Sequence, residues 1–266
     1  MRFVEKITKW VRHRSPLKKW IGLWTVLRGP YRKFLSMWYP SGLLRVINGT
    51  DPIHVDFRWT SMPEVYEPSV WHEVMRRLSQ AKLFVDIGGH IGLYAICGAQ
   101  RMPEGGKVVV FEPLPKNGKF LRDNVRLNRE DKKIEIRELA VGERSGTASM
   151  NENESQATLQ ADGAIVVRIS TLDEEFPTET IDVLKIDVEG AEEKVLLGAK
   201  SILANKSRKP KSIFIEVHPY AWGAFGTRSE DFIKILKDAG YRLRRLDGQP
   251  LQEIDFYGEI LAELEK

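Results

Sequence analysis

The chain of 266 residues has a single cysteine, Cys97, and lacks any apolar run of about 18 residues. One thiol excludes an intramolecular disulfide framework and a zinc site built from several cysteines, and it fits a reducing, cytoplasmic compartment. The short apolar runs predict no membrane-spanning helix. With 42% hydrophobic residues the chain can form a sizeable core, which excludes a fully disordered protein.

Acidic residues are scarce at the start of the chain. Residues 1–50 contain eleven lysines and arginines and one acid, Glu5, which gives this segment a net charge of +10 and the remainder −6. The basic character of the protein therefore belongs to an N-terminal extension. The larger, mildly acidic part lacks the charge pattern of a nucleic-acid-binding surface.

The extension over residues 1–50 also holds four of the seven tryptophans, at helical spacing with basic residues. Its apolar stretch at 20–27 lies late and has no small-residue cleavage site behind it, which argues against a signal peptide. Two interpretations stay open. The tryptophan face packs on its own domain or on a second subunit of a homo-oligomer, or residues 1–40 make peripheral contact with an anionic membrane.

The rest of the chain predicts a lead-in hairpin and helix over 51–80 and a larger domain over 81–266. The hairpin strands are predicted at 44–47 and 53–57, around an Asn-Gly turn. Further strands are predicted at 82–86, 107–111, 134–139, 164–169, 181–186, 212–217, 241–246 and 253–260, and helices at 68–78, 92–100, 115–128, 191–203 and 229–240. This alternation indicates an α/β fold, a parallel sheet with helices on both faces.

Glycines cluster in the sequence FVDIGGHIG at residues 84–92, between a predicted strand and a predicted helix. Gly88 and Gly89 allow a tight turn and a close approach of ligand to backbone, and Gly92 allows close strand–helix packing. Glu112 ends the next strand, where nucleotide-binding α/β folds place the carboxylate that accepts hydrogen bonds from a ribose diol. Together these features predict a nucleoside-type cofactor.

Asp86 distinguishes between two such cofactors. A carboxylate at this position would repel the pyrophosphate of a dinucleotide bound at the helix N-terminus. It suits the sulfonium and ammonium groups of S-adenosylmethionine instead. Charge therefore favours S-adenosylmethionine over NAD, and an NAD oxidoreductase stays as the less favoured alternative.

Acids also follow later strands. Asp187 ends an apolar run at the edge where α/β sheets bind ligands, whereas Glu189 and Glu192 are either helix-start residues favoured by the helix dipole or part of the same site. Glu216 and His218 are two residues apart and therefore share one face of their strand. Asp187, Glu216 and His218 form a candidate acid–base group, with a divalent metal site as the less favoured variant.

These motifs together resemble the FkbM-type family of S-adenosylmethionine-dependent methyltransferases, over about residues 66–246. The matching segments are VDIG at 85–88 with Gly92, FEPLP at 111–115, Asn124 with Asn128, AVG at 140–142, TLD at 171–173, LKIDVEGAE at 184–192 and IE at 215–216. The resemblance implies a Rossmann-like class I methyltransferase fold, with a mainly parallel seven-stranded sheet that contains one antiparallel strand. The helical, tryptophan-rich extension lies outside the family pattern.

The resemblance implies S-adenosylmethionine as the cofactor, held by the glycine loop and the neighbouring strand ends. The implied cofactor-binding residues are Asp86, Gly88, Gly89, His90, Gly92, Glu112, Pro113, Ala140 and Asp187. Gly89 and His90 depart from the alanine and asparagine that are usual in the family. Its members are typically O-methyltransferases that act on sugars, polyketides or other secondary metabolites.

The predicted function is methyl transfer to a hydroxyl oxygen of a sugar, glycan or secondary metabolite. Asp187 is the candidate base or its orienter, assisted by Glu216 and His218. Loops at 41–70, 150–163 and 219–228 are the candidate acceptor pocket. The alternatives are an RNA methyltransferase, which the basic extension favours and the acidic remainder does not, and a non-catalytic cofactor-binding module held at a membrane.

Overall fold

The computed structural model describes Met37 and residues 41–59, 62–150 and 165–264. The predicted helices before residue 41 lie outside the described residues, as does most of the candidate acceptor loop at 150–163. The two interpretations of the extension therefore stay predictions. Among the described helices, none has both the length and the apolar composition needed to cross a membrane.

The described residues form strands and helices that alternate along most of the chain. The strands are β1 (Leu43–Ile47), β2 (Asp51–Val55), β3 (Leu83–Ile87), β4 (Lys107–Phe111), β5 (Ile134–Arg137), β6 (Ala140–Val141), β7 (Gly146–Met150), β8 (Ile165–Ser170), β9 (Val183–Ile186), β10 (Ser212–Val217), β11 (Tyr241–Arg245) and β12 (Gly258–Leu264). The helices are α1 (Pro68–Leu78), α2 (Leu93–Arg101), α3 (Pro115–Asn128), α4 (Leu172–Glu175), α5 (Glu192–Leu197), α6 (Lys200–Ala204), α7 (Pro219–Phe225) and α8 (Ser229–Asp238), with a 3-10 turn at Phe57–Trp59.

Seven of these strands form one sheet in the order β11-β12-β10-β9-β3-β4-β5. Only β12 runs antiparallel to its neighbours in this described sheet, and the other paired strands are parallel. The predicted seven-stranded, mainly parallel sheet of a Rossmann-like fold is thus confirmed. A three-stranded sheet in the order β6-β8-β7 and the hairpin β1-β2 accompany it.

Helices cover both faces of the large sheet because its central strands are apolar on both sides. Successive residues of a strand point to opposite faces, so Phe84 joins one apolar cluster and Val85 the other. The first cluster includes side chains of α1, α2 and α3, and the second includes side chains of α5, α6, α7 and α8. All six residues of β10 are buried, as expected for a strand covered twice.

Several elements differ from the sequence prediction. The candidate acceptor loop at 219–228 contains helix α7, and the strand expected over 164–169 is β8 of the small sheet. Two further differences have identified contacts. The helix expected over 191–203 is interrupted at Gly198, where an added Cβ would lie 2.0 Å from the backbone oxygen of Gly142. The carbonyl of Gly198 accepts a hydrogen bond from the Asp173 N–H of α4 at 3.0 Å. Gly198 is therefore bonded to another element at the point where the helix is interrupted. The last strand lies at 258–264 rather than 253–260, because the Ile254 N–H bonds to the Ser229 hydroxyl at 2.7 Å instead of joining the sheet.

Two asparagines of α3 hold the β1-β2 hairpin, which spans the expected boundary between residues 50 and 51. Asn124 is buried; its Oδ1 accepts a hydrogen bond from the Asp56 N–H and its Nδ2 donates to the Ile91 carbonyl, both at 2.9 Å. The Asn128 amide bonds to the N–H of His54 at 2.9 Å and to its carbonyl at 2.7 Å. The hairpin is therefore fixed to the domain through its own backbone.

We expect Asn124→Ala to lower the free energy of unfolding by about 2–6 kcal/mol, since two backbone groups lose their partners at about 1–3 kcal/mol each when buried. Lys119→Ala, an exposed site on the same helix, is the control and should change it by less than about 0.5 kcal/mol. Urea unfolding followed by circular dichroism measures both variants. Equal stability losses in the two variants would contradict the role of Asn124.

Candidate active site

The glycine loop after β3 passes between the ends of two neighbouring strands. Gly88 has a φ of +88°, and the N–H groups of Gly88 and Gly89 both donate to the Phe111 carbonyl, at 2.9 and 3.1 Å. A Cβ on Gly88 would lie 1.7 Å from the backbone oxygen of Asp187. No side chain fits at this position, so glycine is required for the loop to run here.

Gly92 and His90 both have a positive φ, but their surroundings differ. Gly92 has a φ of +89°, and a Cβ there would lie 2.4 Å from a Leu121 methyl carbon, so this glycine serves the packing of α2 against α3. His90 adopts a φ of +49°, which is uncommon for a residue with a side chain. Its ring packs edge-on against Trp59, with 5.0 Å between ring centroids.

Glu112 is buried at the end of β4, and its two carboxylate oxygens are fixed by hydrogen bonds. Oε2 accepts from the His90 N–H at 2.9 Å, and Oε1 accepts from the Leu114 N–H at 2.9 Å and from Asn117 Nδ2 at 3.3 Å. Burial raises the pKa of Glu112 to about 7, although these hydrogen bonds oppose the rise. Each oxygen keeps capacity for a further donor.

Asp86 is only 2% exposed, and no described residue donates a hydrogen bond to its carboxylate. Burial raises the pKa of Asp86 to about 6, while the charge of Lys185 acts in the opposite direction. A carboxylate that is buried without a donor is costly. The site therefore suits a ligand that brings a cation or a donor to Asp86.

Lys185 supplies the buried positive charge beside these acids, and the sequence analysis gave it no role in the site. Strand pairing places it opposite Asp86, and its Nζ donates to Asp187 Oδ2 at 3.0 Å and lies 4.8 Å from the centre of the Tyr94 ring. Burial opposes its charge, but Asp187 and Asp86 outweigh burial and raise the pKa of Lys185. A lysine inside an apolar strand was the available signal, because a buried lysine is almost always paired.

The structure brings Asp187, Glu216 and His218 together, as the sequence analysis expected. One ligand atom from each lies within 4.8 Å of the others. Burial, and then the charge of Asp187, raise the pKa of Glu216 to about 8. Burial alone would raise the pKa of Asp187, but Lys185 holds it below its ordinary value. Lys185 and burial therefore move the pKa values of the two groups apart, and Glu216 is the more readily protonated of the pair.

His218 is buried behind this pair, between two further carboxylates. Its Nδ1 lies 2.7 Å from Glu192 Oε1, and its Nε2 lies 3.3 Å from Glu189 Oε2 and 3.9 Å from Glu216 Oε1. Burial lowers the pKa of His218, but the hydrogen bond and charge of Glu192, with Glu189, outweigh this and raise it. Glu192 is fully buried and also accepts from Trp222 Nε1 at 2.8 Å.

Two further segments contribute side chains to the site, and neither belongs to the glycine loop or to the strand ends beside it. The sequence analysis named none of these side chains individually. Glu67, just before α1, accepts a hydrogen bond from the Tyr94 hydroxyl at 2.7 Å. Tyr257, just before β12, donates to Glu216 Oε1. The hairpin turn positions the first of these segments, because the Asn48 amide bonds to the N–H of Tyr66 at 2.9 Å and to its carbonyl at 2.7 Å.

These side chains line one cavity of about 680 Å³. The predicted site residues along it are Asp86, Gly88, Gly89, His90, Glu112, Pro113, Ala140, Asp187 and Glu216. Gly92 and His218 lie behind its described walls. Six carboxylates line the cavity, from Glu67, Asp86, Glu112, Asp187, Glu189 and Glu216, against the two lysines Lys116 and Lys185. The excess negative charge favours a cationic ligand.

Comparison with known proteins gives one family match. The sequence model of a family described as Methyltransferase FkbM domain matches residues 86–243, more than half of the chain. No protein of curated function matches the sequence.

Among solved structures, the chain is similar to three methyltransferases at low sequence identity. Methyltransferase FkbM from Methylobacillus flagellatus KT is 19% identical with a TM-score of 0.47, over 74% of this chain and 50% of that one. An O-methyltransferase from Bacillus cereus in complex with SAH is 16% identical with a TM-score of 0.45, over 78% and 86% of the chains. The O-methyltransferase TomG from Streptomyces achromogenes, in complex with SAM, is 12% identical with a TM-score of 0.47, over 79% and 86%. The chain spans half the length of the first of these structures.

Proposed function

Because the chain belongs to the FkbM family of methyltransferases, whose methyl donor is S-adenosylmethionine, we propose that it methylates a hydroxyl oxygen of a sugar, glycan or secondary metabolite. The observation that carries this proposal is the pair of carboxyl groups of Asp187 and Glu216 in the wall of the cavity. A hydroxyl acceptor must lose its proton as it attacks, and a carboxylate within hydrogen-bond reach can accept that proton.

The residues of the cavity fit S-adenosylmethionine, which supplies the methyl group as a sulfonium. Asp86 is a buried carboxylate to which no described residue donates a hydrogen bond, and it suits the positive charges of the cofactor. Glu112 presents two fixed oxygens that suit the ribose diol. Gly88 leaves no room for a side chain and keeps the backbone accessible. These observations support the assignment of Asp86, Gly88 and Glu112 to the cofactor.

Methyl transfer from a sulfonium is an in-line displacement, so alignment and exclusion of water supply most of the catalysis. In our proposal Asp187 receives the hydroxyl proton or orients the hydroxyl, with Lys185 holding its other oxygen. Lys185 also keeps Asp187 ionised. Glu216 fixes the opposite side of the acceptor oxygen and is itself held by the Tyr257 hydroxyl.

We expect Asp187→Asn to lower kcat by at least about 100-fold, because a positioned base contributes about 10²–10⁴-fold. The affinity for S-adenosylmethionine should stay within a few fold of the parent value. The assay uses S-adenosylmethionine labelled with ¹³C in the methyl group and a panel of sugars, oligosaccharides and phenols. The ¹³C chemical shift of the product distinguishes a methyl group on oxygen from one on nitrogen or carbon.

The matched control is Asp238→Asn, an exposed aspartate at the end of α8, which should leave kcat unchanged. Full turnover by Asp187→Asn with normal cofactor binding would remove Asp187 from the mechanism. A product methylated only on nitrogen or carbon would contradict transfer to a hydroxyl.

A further inference from the structure

Asp187, Glu216 and His218 have the spacing of ligands to one metal ion. One oxygen of each carboxylate and one ring nitrogen of the histidine lie within 4.8 Å of one another. Ligands that bind one ion at about 2.1 Å are separated by at most about 4.2 Å. Side-chain movements of less than about 1 Å would therefore bring all three ligand atoms to an ion.

The orientation of His218 is fixed by a carboxylate, Glu192, that is not one of the three candidate ligands. Its Nδ1 bonds to Glu192 at 2.7 Å, and a carboxylate accepts rather than donates, so this nitrogen carries a hydrogen. The other nitrogen, Nε2, faces Glu189 and Glu216, at 3.3 and 3.9 Å. Metal-binding histidines almost always donate their second ring N–H to a carboxylate, carbonyl or water in this way.

Glu192 is itself held in place, so the direction of the His218 ring is built into the fold. Its Oε2 accepts a hydrogen bond from Trp222 Nε1 and its Oε1 from the Gly190 N–H, both at 2.8 Å. The glutamate is fully buried and has no contact with the cavity. Its arrangement is that of a group that orients a ligand rather than one that binds substrate.

The charges near Nε2 also favour a cation. Asp187, Glu189 and Glu216 converge there, while the Lys185 ammonium bonds to Oδ2 of Asp187. The hydroxyl of Tyr220 bonds to Glu189 at 3.1 Å, and Tyr257 bonds to Glu216. Each of the three carboxylates keeps a second oxygen for another partner. A divalent ion would offset their mutual repulsion.

We propose that Asp187, Glu216 and His218 bind a divalent cation of the Mg²⁺ or Mn²⁺ class, which orients the acceptor hydroxyl. Two carboxylates select hard ions, and the single imidazole favours Mn²⁺ over Mg²⁺. The two carboxylates line the cavity and His218 lies behind them, so the cavity side of the ion stays open, as in catalytic metal sites. The role given to the ion rests on the proposed hydroxyl methylation, whereas its binding does not.

Titration of the full chain with MnCl₂, followed by electron paramagnetic resonance of free Mn²⁺, tests the site directly. We expect one Mn²⁺ per chain, and His218→Ala should weaken binding by at least about 10-fold. Because His218 is buried, Glu216→Gln is a second variant that keeps the side-chain volume, and it should weaken binding similarly. His72→Ala, on the exposed face of α1, is the matched control and should bind Mn²⁺ as the parent does.

Absence of Mn²⁺ binding, or equal binding by all four proteins, would overturn the proposal. Methyl transfer measured with and without a chelator separates it from the proposed function. Mn²⁺ binding that depends on His218, without hydroxyl methylation, would support the metal site and contradict the hydroxyl acceptor. Hydroxyl methylation by protein that binds no Mn²⁺ would support the acceptor and overturn the metal site.

Discussion

Gly88→Ala is expected to abolish S-adenosylmethionine binding and to lower the free energy of unfolding by about 2–5 kcal/mol. The left-handed φ of +88° costs an alanine roughly 1–2 kcal/mol. The added Cβ would also lie 1.7 Å from the backbone oxygen of Asp187, and relieving such a clash typically costs about 1–3 kcal/mol. The Asp187 N–H is bonded to the Ile87 carbonyl at 2.9 Å, so relief would displace the cofactor loop and the proposed base together.

Gly105→Ala is the matched control for this variant. Gly105 has a φ of +79°, but nothing lies within 4 Å of its added Cβ. This variant should lose only the roughly 1–2 kcal/mol of the left-handed conformation and keep its affinity for the cofactor. Urea unfolding and calorimetry with S-adenosylmethionine measure both variants. Equal losses would mean that the close approach of Gly88 to Asp187 has no energetic consequence.

Glu112→Ala is expected to weaken S-adenosylmethionine binding by roughly 10²–10⁴-fold. Hydrogen bonds to a charged group contribute about 1.5–3 kcal/mol each, and a ribose diol offers two of them. Calorimetry measures the loss, with Glu104→Ala as a control at an exposed glutamate before β4. Unchanged affinity in Glu112→Ala would show that Glu112 does not hold the cofactor.

The same carboxyl group predicts a pH dependence. Burial raises the pKa of Glu112 to about 7, so the empty protein is increasingly protonated at this group below neutral pH. Since the hydroxyl donors prefer the ionised form, the affinity should rise between pH 6 and pH 8 and should depend less on pH in Glu112→Gln. The stability contribution has the opposite sign. The raised pKa means that ionised Glu112 destabilises the empty protein as the pH rises from about 4.5 towards 7.

The sequence predicts that the candidate cofactor residues meet in one place, and the reason is physical. Asp86, Glu112 and Asp187 each follow an apolar strand, and the carboxyl ends of parallel strands meet at one edge of the sheet. A local pattern therefore places distant residues together. The pattern also predicts most strands and helices, since burial on both faces leaves apolar runs between glycines and polar turns.

The residues that the sequence analysis missed depend on tertiary contacts. Lys185 stands out in the sequence as a lysine within an apolar strand, but its proximity to Asp86 follows only from the register of the two strands. Glu67 and Tyr257 are 190 positions apart in the chain, and no local spacing connects them. The interruption at Gly198 likewise depends on a loop from Gly142 that sequence periodicity does not contain.

The hairpin and the segment that follows it are attached to the domain through backbone groups. Asn124 and Asn128 bond to the backbone of residues 54 and 56, and the Asn48 amide bonds to the backbone of Tyr66. These contacts recognise peptide groups, which every residue type except proline supplies in full. Substitutions of the cavity-lining Tyr66 and Glu67 therefore leave these backbone contacts in place. Side chains in this wall of the cavity can thus be replaced while its backbone stays attached. On the cofactor side, by contrast, Gly88 tolerates no side chain at all.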